Sequence, residues 1–301
     1  MKNIIVRTPL ELNKRLSQKY NCNLYFKRED LQTVRSFKIR GAYNKIINNS
    51  DNNFVTASAG NHAQGVSHVC NSLNKKCYIF VPETTPNQKV SRIKYFGGDN
   101  CTLYKKGNTF DESLYYSKEF CEKNNYTFVH PFDDPDVISG QGNVTKEILE
   151  DINPDIIMCA VGGGGLISGT INAVANNNCN NCNIYGIEPM GAASMYESLK
   201  QGKVVTLDTI DTFVDGACVK RVGELTFEIA KKAKEIIKIS NGELCTQIID
   251  LYQNEGIIVE PAGALSVAGL SKIEPQTLEN KNVVCIISGG NNDLMRYPEI
   301  V

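Results

Sequence analysis

Neither an excess of charge nor a long hydrophobic run occurs in this sequence. Its 32 Lys and Arg residues nearly balance 33 Asp and Glu residues, so the formal net charge is −1, and the two signs are interspersed. This pattern offers no basic stripe to a nucleic acid, and no apolar stretch approaches the roughly 20 residues that cross a bilayer. Residues 1–6 are too short for a signal-peptide core before Arg7 interrupts them. We therefore expect a cytoplasmic protein that has neither nucleic acid nor a membrane as a partner.

The cysteines do not show the pattern of a disulfide framework. There are eleven of them, an odd number, with irregular spacing. Cys77, Cys159 and Cys285 lie in or beside apolar runs, where a reduced thiol acts as a small hydrophobic group. The one CxxC motif, at 179–182, lies in an asparagine-rich stretch without a second cysteine pair or a histidine nearby. We expect a solvent loop there rather than a zinc or redox site.

A glycine run is the first sign of a ligand site. It consists of Gly162, Gly163, Gly164 and Gly165. The apolar stretch before it, 156–160, predicts a buried strand, and the stretch after it, 167–175, predicts a helix. Backbone N–H groups of such a run, with a helix N-terminus, can bind a phosphate. A Walker A loop would need lysine where Thr170 stands, and a dinucleotide motif would need glycine where Ser168 stands. A tight turn without a ligand is the alternative.

Lys38 is the second sign, because it lies between Phe37 and Ile39, just ahead of a predicted helix. Apolar neighbours that hold a lysine partly out of water lower its pKa and leave a neutral amine that can attack an aldehyde. A lone lysine of this kind is more often a surface side chain with a solvated ammonium. Taken together with the glycine run and two further segments, Lys38 instead fits a lysine that forms a Schiff base with pyridoxal 5'-phosphate (PLP).

Two further segments agree with this interpretation. Residues 58–62, Ser-Ala-Gly-Asn-His, follow a strand-like run and precede a predicted helix. Asn61 there can donate a hydrogen bond to a ring oxygen of the cofactor, and neighbouring N–H groups can bind a carboxylate. A helix N-cap is the alternative for Asn61 alone. Ser288 follows the apolar run 283–287, so its hydroxyl is expected in the crevice at the carboxyl end of a strand.

With these segments the chain resembles the PLP-dependent β-eliminating enzymes of fold type II, and most closely the threonine ammonia-lyases, also called threonine dehydratases. The resemblance covers essentially the whole chain. The matching segments are residues 7–10, 26–31, 36–42, 58–64, 131–135, 140–142, 162–165, 215–217, 220–224, 259–264 and 288–291.

The implied fold is α/β, with two wound α/β domains of the tryptophan synthase β-like kind. A large PLP-binding domain would comprise residues 1–53 and 133–301, and a small inserted domain would comprise residues 54–132. The alternation of strand-like and helical stretches predicts wound units independently. Predicted strands lie at 54–57, 77–81, 101–104, 156–160, 183–187 and 283–287, and predicted helices at 89–95, 110–122 and 167–175.

The resemblance also implies a role for each site residue. Lys38 would form the internal aldimine with PLP and later shuttle the proton at the substrate Cα. Phe37 would pack beside the cofactor ring, and Asn61 would bond its 3'-oxygen. Ser288 would face the pyridine nitrogen, and the four glycines 162–165 would form the phosphate cup. The loop residues expected to bind the substrate carboxylate are Ser58, Ala59, Gly60 and His62.

These roles favour elimination. A serine hydroxyl is too weak an acid to protonate the pyridine nitrogen, so a neutral ring disfavours a long-lived carbanion and β-leaving-group expulsion competes well. L-threonine would give 2-oxobutanoate and ammonia, towards isoleucine or in threonine catabolism, and L-serine would give pyruvate as a secondary activity. Serine racemases carry a second serine where Ala59 stands, so racemisation should be poor. Metal-dependent relatives carry a second carboxylate where Ser194 stands, so Glu188 alone is not expected to hold a divalent ion.

Other interpretations stay open at this point. An L-serine dehydratase, a serine racemase-like enzyme or a β-replacing synthase would share Lys38, the glycine run and Ser288, and a catalytically silent ligand-binding relative is the non-enzyme alternative. Biosynthetic threonine deaminases carry a C-terminal regulatory domain that binds isoleucine. The sequence given ends at Val301, so we expect no inhibition by isoleucine, with a truncated sequence as the alternative. The resemblance further implies a homodimer or homotetramer.

Overall fold

The computed structural model describes residues 4–179, 181–293, 295 and 297–300. The strands are β1 (Leu10–Leu12), β2 (Asn23–Arg28), β3 (Asn53–Ala57), β4 (Lys76–Val81), β5 (Cys101–Lys105), β6 (Thr127–Phe128), β7 (Ile156–Ala160), β8 (Asn183–Pro189), β9 (Glu235–Ile239) and β10 (Asn282–Ile287). The helices are α1 (Lys14–Tyr20), α2 (Lys38–Ile47), α3 (Asn61–Ser72), α4 (Asn87–Gly97), α5 (Phe110–Asn124), α6 (Pro135–Gln141), α7 (Asn143–Asp151), α8 (Gly165–Asn176), α9 (Ser194–Gln201), α10 (Glu224–Ala230), α11 (Asn241–Glu255), α12 (Pro261–Ala268), α13 (Pro275–Leu278) and α14 (Tyr297–Ile300).

The larger sheet has six strands in the order β1-β2-β10-β7-β8-β9. Its neighbouring strands run parallel, except for the antiparallel pair of β1 and β2. The N-terminal strand β2 pairs with the C-terminal strand β10, which also pairs with β7. Because β10 and β7 are parallel neighbours, Ser288 and the glycine run that follow them leave the same edge of the sheet.

The smaller sheet has four parallel strands in the order β5-β4-β3-β6. Its buried core also includes Ile39 and Ile46 from α2 and Val137 from α6. The helix α2, which begins at Lys38, therefore packs on the smaller sheet, whereas Ser288 follows a strand of the larger one. The predicted domain limits, 1–53 with 133–301 and 54–132, stay a prediction.

The predicted strands and helices are confirmed to within a few residues. All five residues of β7 are buried, as expected for a strand covered on both faces. The helix predicted at 167–175 begins two residues earlier, at Gly165, because the backbone at Gly164 adopts a left-handed φ of 92° that glycine tolerates without strain.

The described cysteines are all in the reduced form, seven buried and four partly exposed. Cys179 and Cys182 lie between the end of α8 and the start of β8, which is the loop position that the sequence predicts. Among the described residues, no helix combines the length and apolar character needed to cross a bilayer.

Candidate active site

Lys38 is the first residue of α2, and its amine reaches the segment that precedes α6. Its Nζ atom donates a hydrogen bond to the carbonyl oxygen of Pro131 at 2.9 Å. The side chain as a whole keeps some exposure, but protein atoms surround Nζ, and this desolvation lowers the pKa of Lys38 to about 8 against the opposing attraction of the Glu260 carboxyl. A sizeable share of the amine is therefore neutral near pH 8, as attack on an aldehyde requires.

The glycine run connects β7 to α8 beside the Pro131 segment. Phe132 lies against Gly163, where the Cβ of any side chain would overlap with the phenyl ring. The hydroxyl of Thr226 donates a hydrogen bond to the carbonyl oxygen of Gly163 at 2.7 Å. These contacts fix the shape of the run ahead of the α8 N-terminus, which is a favourable place for a phosphate.

Ser288 and Phe37 are joined directly. Ser288 follows β10 and is 2% exposed, and its carbonyl oxygen accepts a hydrogen bond from the N–H of Phe37 at 3.1 Å. The hydroxyl of Ser288 donates to the carbonyl oxygen of Ala262 at 3.1 Å. The end of β10 and the residue before Lys38 are thus held together.

Asn61 is the first residue of α3 and does not cap that helix, so the N-cap alternative is wrong. Its Nδ2 atom donates to Oε1 of Glu260 at 2.6 Å, and its Oδ1 atom accepts from Nδ2 of Asn291 at 2.7 Å. Glu260 precedes α12 and Asn291 follows β10. The side chain of Asn61 therefore joins a helix of the smaller sheet to the strand ends of the larger one.

The predicted substrate loop lies next to Asn61. Ser58, Ala59 and Gly60 are partly exposed, and the Ser58 hydroxyl accepts a hydrogen bond from the N–H of Gly60 at 3.2 Å. His62 is buried, and its Nε2 atom donates to the carbonyl oxygen of Val129 at 3.0 Å. Burial lowers the pKa of His62 to about 3, so its ring is neutral at physiological pH. The part these residues play in substrate binding stays a prediction.

The sequence indicated no role for three residues that contact the site. They are Glu260, Asn291 and Phe132, although all three lie in segments that carry the resemblance. Apart from the resemblance, the sequence marks Glu260 only as an acidic residue placed directly after the apolar run 257–259 and ahead of a proline. Its role depends on side chains that are remote in sequence, so local pattern alone does not indicate it.

Glu188 binds the backbone of Met195, whose side chain lies at Gly164 of the glycine run. It is fully buried, and its two carboxylate oxygens accept hydrogen bonds from the N–H groups of Met195 and Tyr196, each at 2.8 Å. The hydroxyl of Ser194 is buried without a hydrogen-bond partner in the described part of the chain. Within that part, no group of three or more His, Cys, Asp or Glu side chains has the arrangement of a metal site.

The residues present fit PLP. Lys38 offers an amine of lowered pKa, and the glycine run offers backbone N–H groups at a helix N-terminus. Two buried side-chain atoms near Lys38 and Asn61 in sequence, Oγ of Ser36 and Nδ1 of His62, have no hydrogen-bond partner among the described residues. Buried polar atoms of this kind are normally paired, so their occurrence here is consistent with a polar ligand at the site.

Comparison with known proteins identifies the family of the chain. The sequence profile of the family described as pyridoxal-phosphate dependent enzymes matches residues 1–289. The biosynthetic L-threonine dehydratase IlvA of Bacillus subtilis (strain 168) is 48% identical over 307 residues, which span 100% of this chain and 72% of that protein.

Two solved structures are similar to this chain in both fold and sequence. The processed form of threonine deaminase isoform 2 from Solanum lycopersicum has a TM-score of 0.93 and 40% identity, over 99% of this chain and 88% of that chain. Maize serine racemase has a TM-score of 0.91 and 30% identity, over 98% of this chain and 91% of that one. The chain therefore belongs to the family of pyridoxal-phosphate dependent enzymes, of the same fold type as the threonine dehydratases.

Proposed function

We propose that this protein is a PLP-dependent lyase that converts L-threonine to 2-oxobutanoate and ammonia, with the conversion of L-serine to pyruvate and ammonia as a secondary activity. Water is eliminated from the amino acid, and hydrolysis of the released enamine then consumes one water and frees the ammonia. One observation carries the proposal: the amine of Lys38 has a lowered pKa and is held by Pro131, whose neighbour Phe132 packs on the glycine run. The threonine dehydratase and threonine deaminase names of the relatives support the choice of substrate.

The residues that would hold the cofactor are Lys38, Phe37, Asn61, Gly162, Gly163, Gly164, Gly165 and Ser288. Bound PLP supplies an aldehyde for amines and an electron-accepting ring that acidifies the α-proton of an amino acid. Lys38 acts as the general base, since its amine is partly neutral near pH 8 and can accept the proton from the substrate Cα.

The loop residues Ser58, Ala59, Gly60 and His62 hold the substrate carboxylate. Three of them are partly exposed, and the backbone N–H groups at the start of α3 favour an anion. The ring of His62 is neutral, so it adds no charge to the site. Its hydrogen bond to the carbonyl oxygen of Val129 anchors the loop to the protein interior. Ser288 presents a hydroxyl, which cannot protonate a pyridine nitrogen and so leaves the cofactor ring neutral.

An absorption spectrum of the purified protein with PLP, recorded before and after L-threonine is added, tests the proposal. We expect a visible-region band that changes with threonine while 2-oxobutanoate accumulates, and loss of both in Lys38→Ala. Lys94→Ala is the control, because Lys94 is an exposed lysine on α4. A band that responds to serine alone would make the protein an L-serine dehydratase. A native protein without a band, or a band unaffected by Lys38→Ala, would contradict the proposal.

The proposed function extends to the metabolic role of the protein, its response to isoleucine and its assembly. The relatives' names place their reaction in biosynthesis, and we propose that this protein serves isoleucine biosynthesis in the same way. Absence of inhibition of this 301-residue polypeptide by isoleucine stays a prediction, and an isoleucine titration that gives micromolar, cooperative inhibition would contradict it. Assembly as a homodimer or homotetramer also stays a prediction, which light scattering in solution tests.

A further inference from the structure

Glu260 occupies a buried space that Gly289 leaves open for it. Its side chain is 4% exposed. A Cβ on Gly289 would overlap with Oε1 of Glu260, and a Cβ on Gly216 would lie 3.4 Å from the same atom. The N–H of Glu260 donates to the carbonyl oxygen of Gly289 at 3.2 Å, which ties the start of α12 to the segment after β10. The fold thus provides an enclosed site for one carboxyl group.

That carboxyl group and Asn291 together determine the orientation of the Asn61 amide. Nδ2 of Asn61 donates to Oε1 of Glu260 at 2.6 Å, and Oδ1 of Asn61 accepts from Nδ2 of Asn291 at 2.7 Å. Turning the amide over would place its N–H₂ group against the N–H₂ group of Asn291, where neither nitrogen can accept a hydrogen bond. The observed orientation leaves one Nδ2 hydrogen for a further acceptor, because an amide nitrogen carries two.

Asn291 is anchored in turn. Its Nδ2 atom also donates to the carbonyl oxygen of Val34 at 2.8 Å, and its Oδ1 atom accepts from Nη2 of Arg92 on α4 at 3.2 Å. Asn291 cannot easily follow a rotation of Asn61, so the loss of Glu260 would leave Asn61 held on one side only.

We propose that Glu260 is a positioning residue that holds the Asn61 amide in one orientation, with its second Nδ2 hydrogen available to an oxygen of bound PLP. This inference rests on the cofactor role of Asn61 in the proposed function. In this role Glu260 acts on the bound cofactor through Asn61.

The charge state of Glu260 agrees with this role. Burial is the main reason that the pKa of Glu260 is raised to about 8, and Asp215 adds to the effect. The hydrogen bonds from the Asn61 side chain and the Asn291 backbone N–H, and the nearby Lys89, oppose it. Near pH 7 the carboxyl group is therefore mostly protonated and uncharged. A neutral carboxyl still accepts a hydrogen bond at Oε1, so the glutamine amide is its closest mimic.

A double-mutant cycle on the dissociation constant of PLP from the apoprotein tests the proposal. We expect Glu260→Ala and Asn61→Ala each to raise this constant by about tenfold, the size of one hydrogen bond to an uncharged partner. The double variant should bind PLP no more weakly than Asn61→Ala alone, because Glu260 acts through Asn61. Glu260→Gln, which keeps an acceptor for Asn61, should bind PLP as the native protein does.

Asn292→Ala is the matched control, because Asn292 lies next to Asn291 but donates to the carbonyl oxygen of Val259. It should leave the affinity for PLP unchanged. If Glu260→Ala does not fold, Asn291→Ala tests the same orientation from the other side and should raise the dissociation constant. Additive losses in the double variant, or native affinity in Glu260→Ala or in Asn291→Ala, would overturn this inference while leaving the proposed function intact. Failure of the native protein to bind PLP would overturn both.

Discussion

The Nζ atom of Lys38 donates a hydrogen bond to the carbonyl oxygen of Pro131 at 2.9 Å, across 93 residues of sequence. A peptide carbonyl carries no full charge, so it orients the amine without favouring the ammonium form as strongly as a carboxylate would. The next residue, Phe132, packs on Gly163. One short segment therefore positions both the lysine and the glycine run.

The lowered pKa of Lys38 predicts how cofactor attachment depends on pH. Burial brings this pKa from the ordinary 10.5 to about 8, and only the neutral amine attacks an aldehyde. The rate at which PLP attaches to the apoprotein should therefore rise with pH up to about 8 and then level off. Stopped-flow absorbance over a range of pH measures it. A rate that keeps rising towards the ordinary lysine pKa of about 10.4 would contradict the prediction.

Gly163→Ala should weaken PLP binding, because the new Cβ would overlap with the ring of Phe132. Overpacking of this kind costs about 1–3 kcal/mol, or roughly fivefold to 150-fold in the dissociation constant. Phe132→Ala in the Gly163→Ala background should restore part of the affinity. Gly242→Ala on α11 is the control, because no atom lies within 4 Å of the position its Cβ would take. Native affinity in Gly163→Ala would show that the run does not need this glycine.

Arg40→Met should destabilise the fold around Lys38. Nε and Nη2 of Arg40 each lie 2.8 Å from the fully buried carboxylate of Glu29, and Nη1 lies 2.7 Å from Glu147. Removing the guanidinium takes the charge partner from the buried carboxylate of Glu29, whereas Glu147 keeps its ion pair with Lys27. The loss at Glu29 lowers the free energy of unfolding by about 3–5 kcal/mol. Urea denaturation followed by circular dichroism measures the change.

Arg7→Met provides the comparison for that experiment. Arg7 also contacts two carboxylates, Glu150 and Asp151, but half of its side chain is exposed, and ion pairs in water contribute little. The urea midpoint should stay at its native value in Arg7→Met. Equal losses of unfolding free energy in the two variants would show that the contribution of Arg40 does not depend on its burial.

Thiol labelling should separate the cysteines by burial. A thiol reagent at mildly alkaline pH should modify at most four of the eleven cysteines in the native protein, namely the partly exposed Cys101, Cys179, Cys218 and Cys245. Burial raises the pKa of Cys159 to about 12, so its thiolate is scarce. All eleven should react after denaturation. Rapid native labelling of Cys182 together with Cys179 would instead indicate an open CxxC pair.

Much of the fold and part of the site can be predicted from local sequence patterns. The apolar run 156–160 followed by four glycines predicts β7 and its turn into α8, because strand length, burial and glycine's tolerance of φ 92° are properties of neighbouring residues. The run 283–287 before Ser288 predicts β10 in the same way. The apolar neighbours of Lys38 indicate a lysine held partly out of water.

The partners of these residues were decided by the tertiary structure. Asn61 and Glu260 are 199 residues apart, and they meet because the fold brings the first residue of α3 to the residue before α12. The sequence shows which residues are buried but not which buried side chains face one another. The pKa of Glu260, about 8, arises from its full enclosure, and that of Lys38 from protein atoms brought in by remote segments. Local pattern thus determines the elements and the candidate lysine, whereas long-range packing determines the desolvation and hydrogen-bond partners on which the chemistry depends.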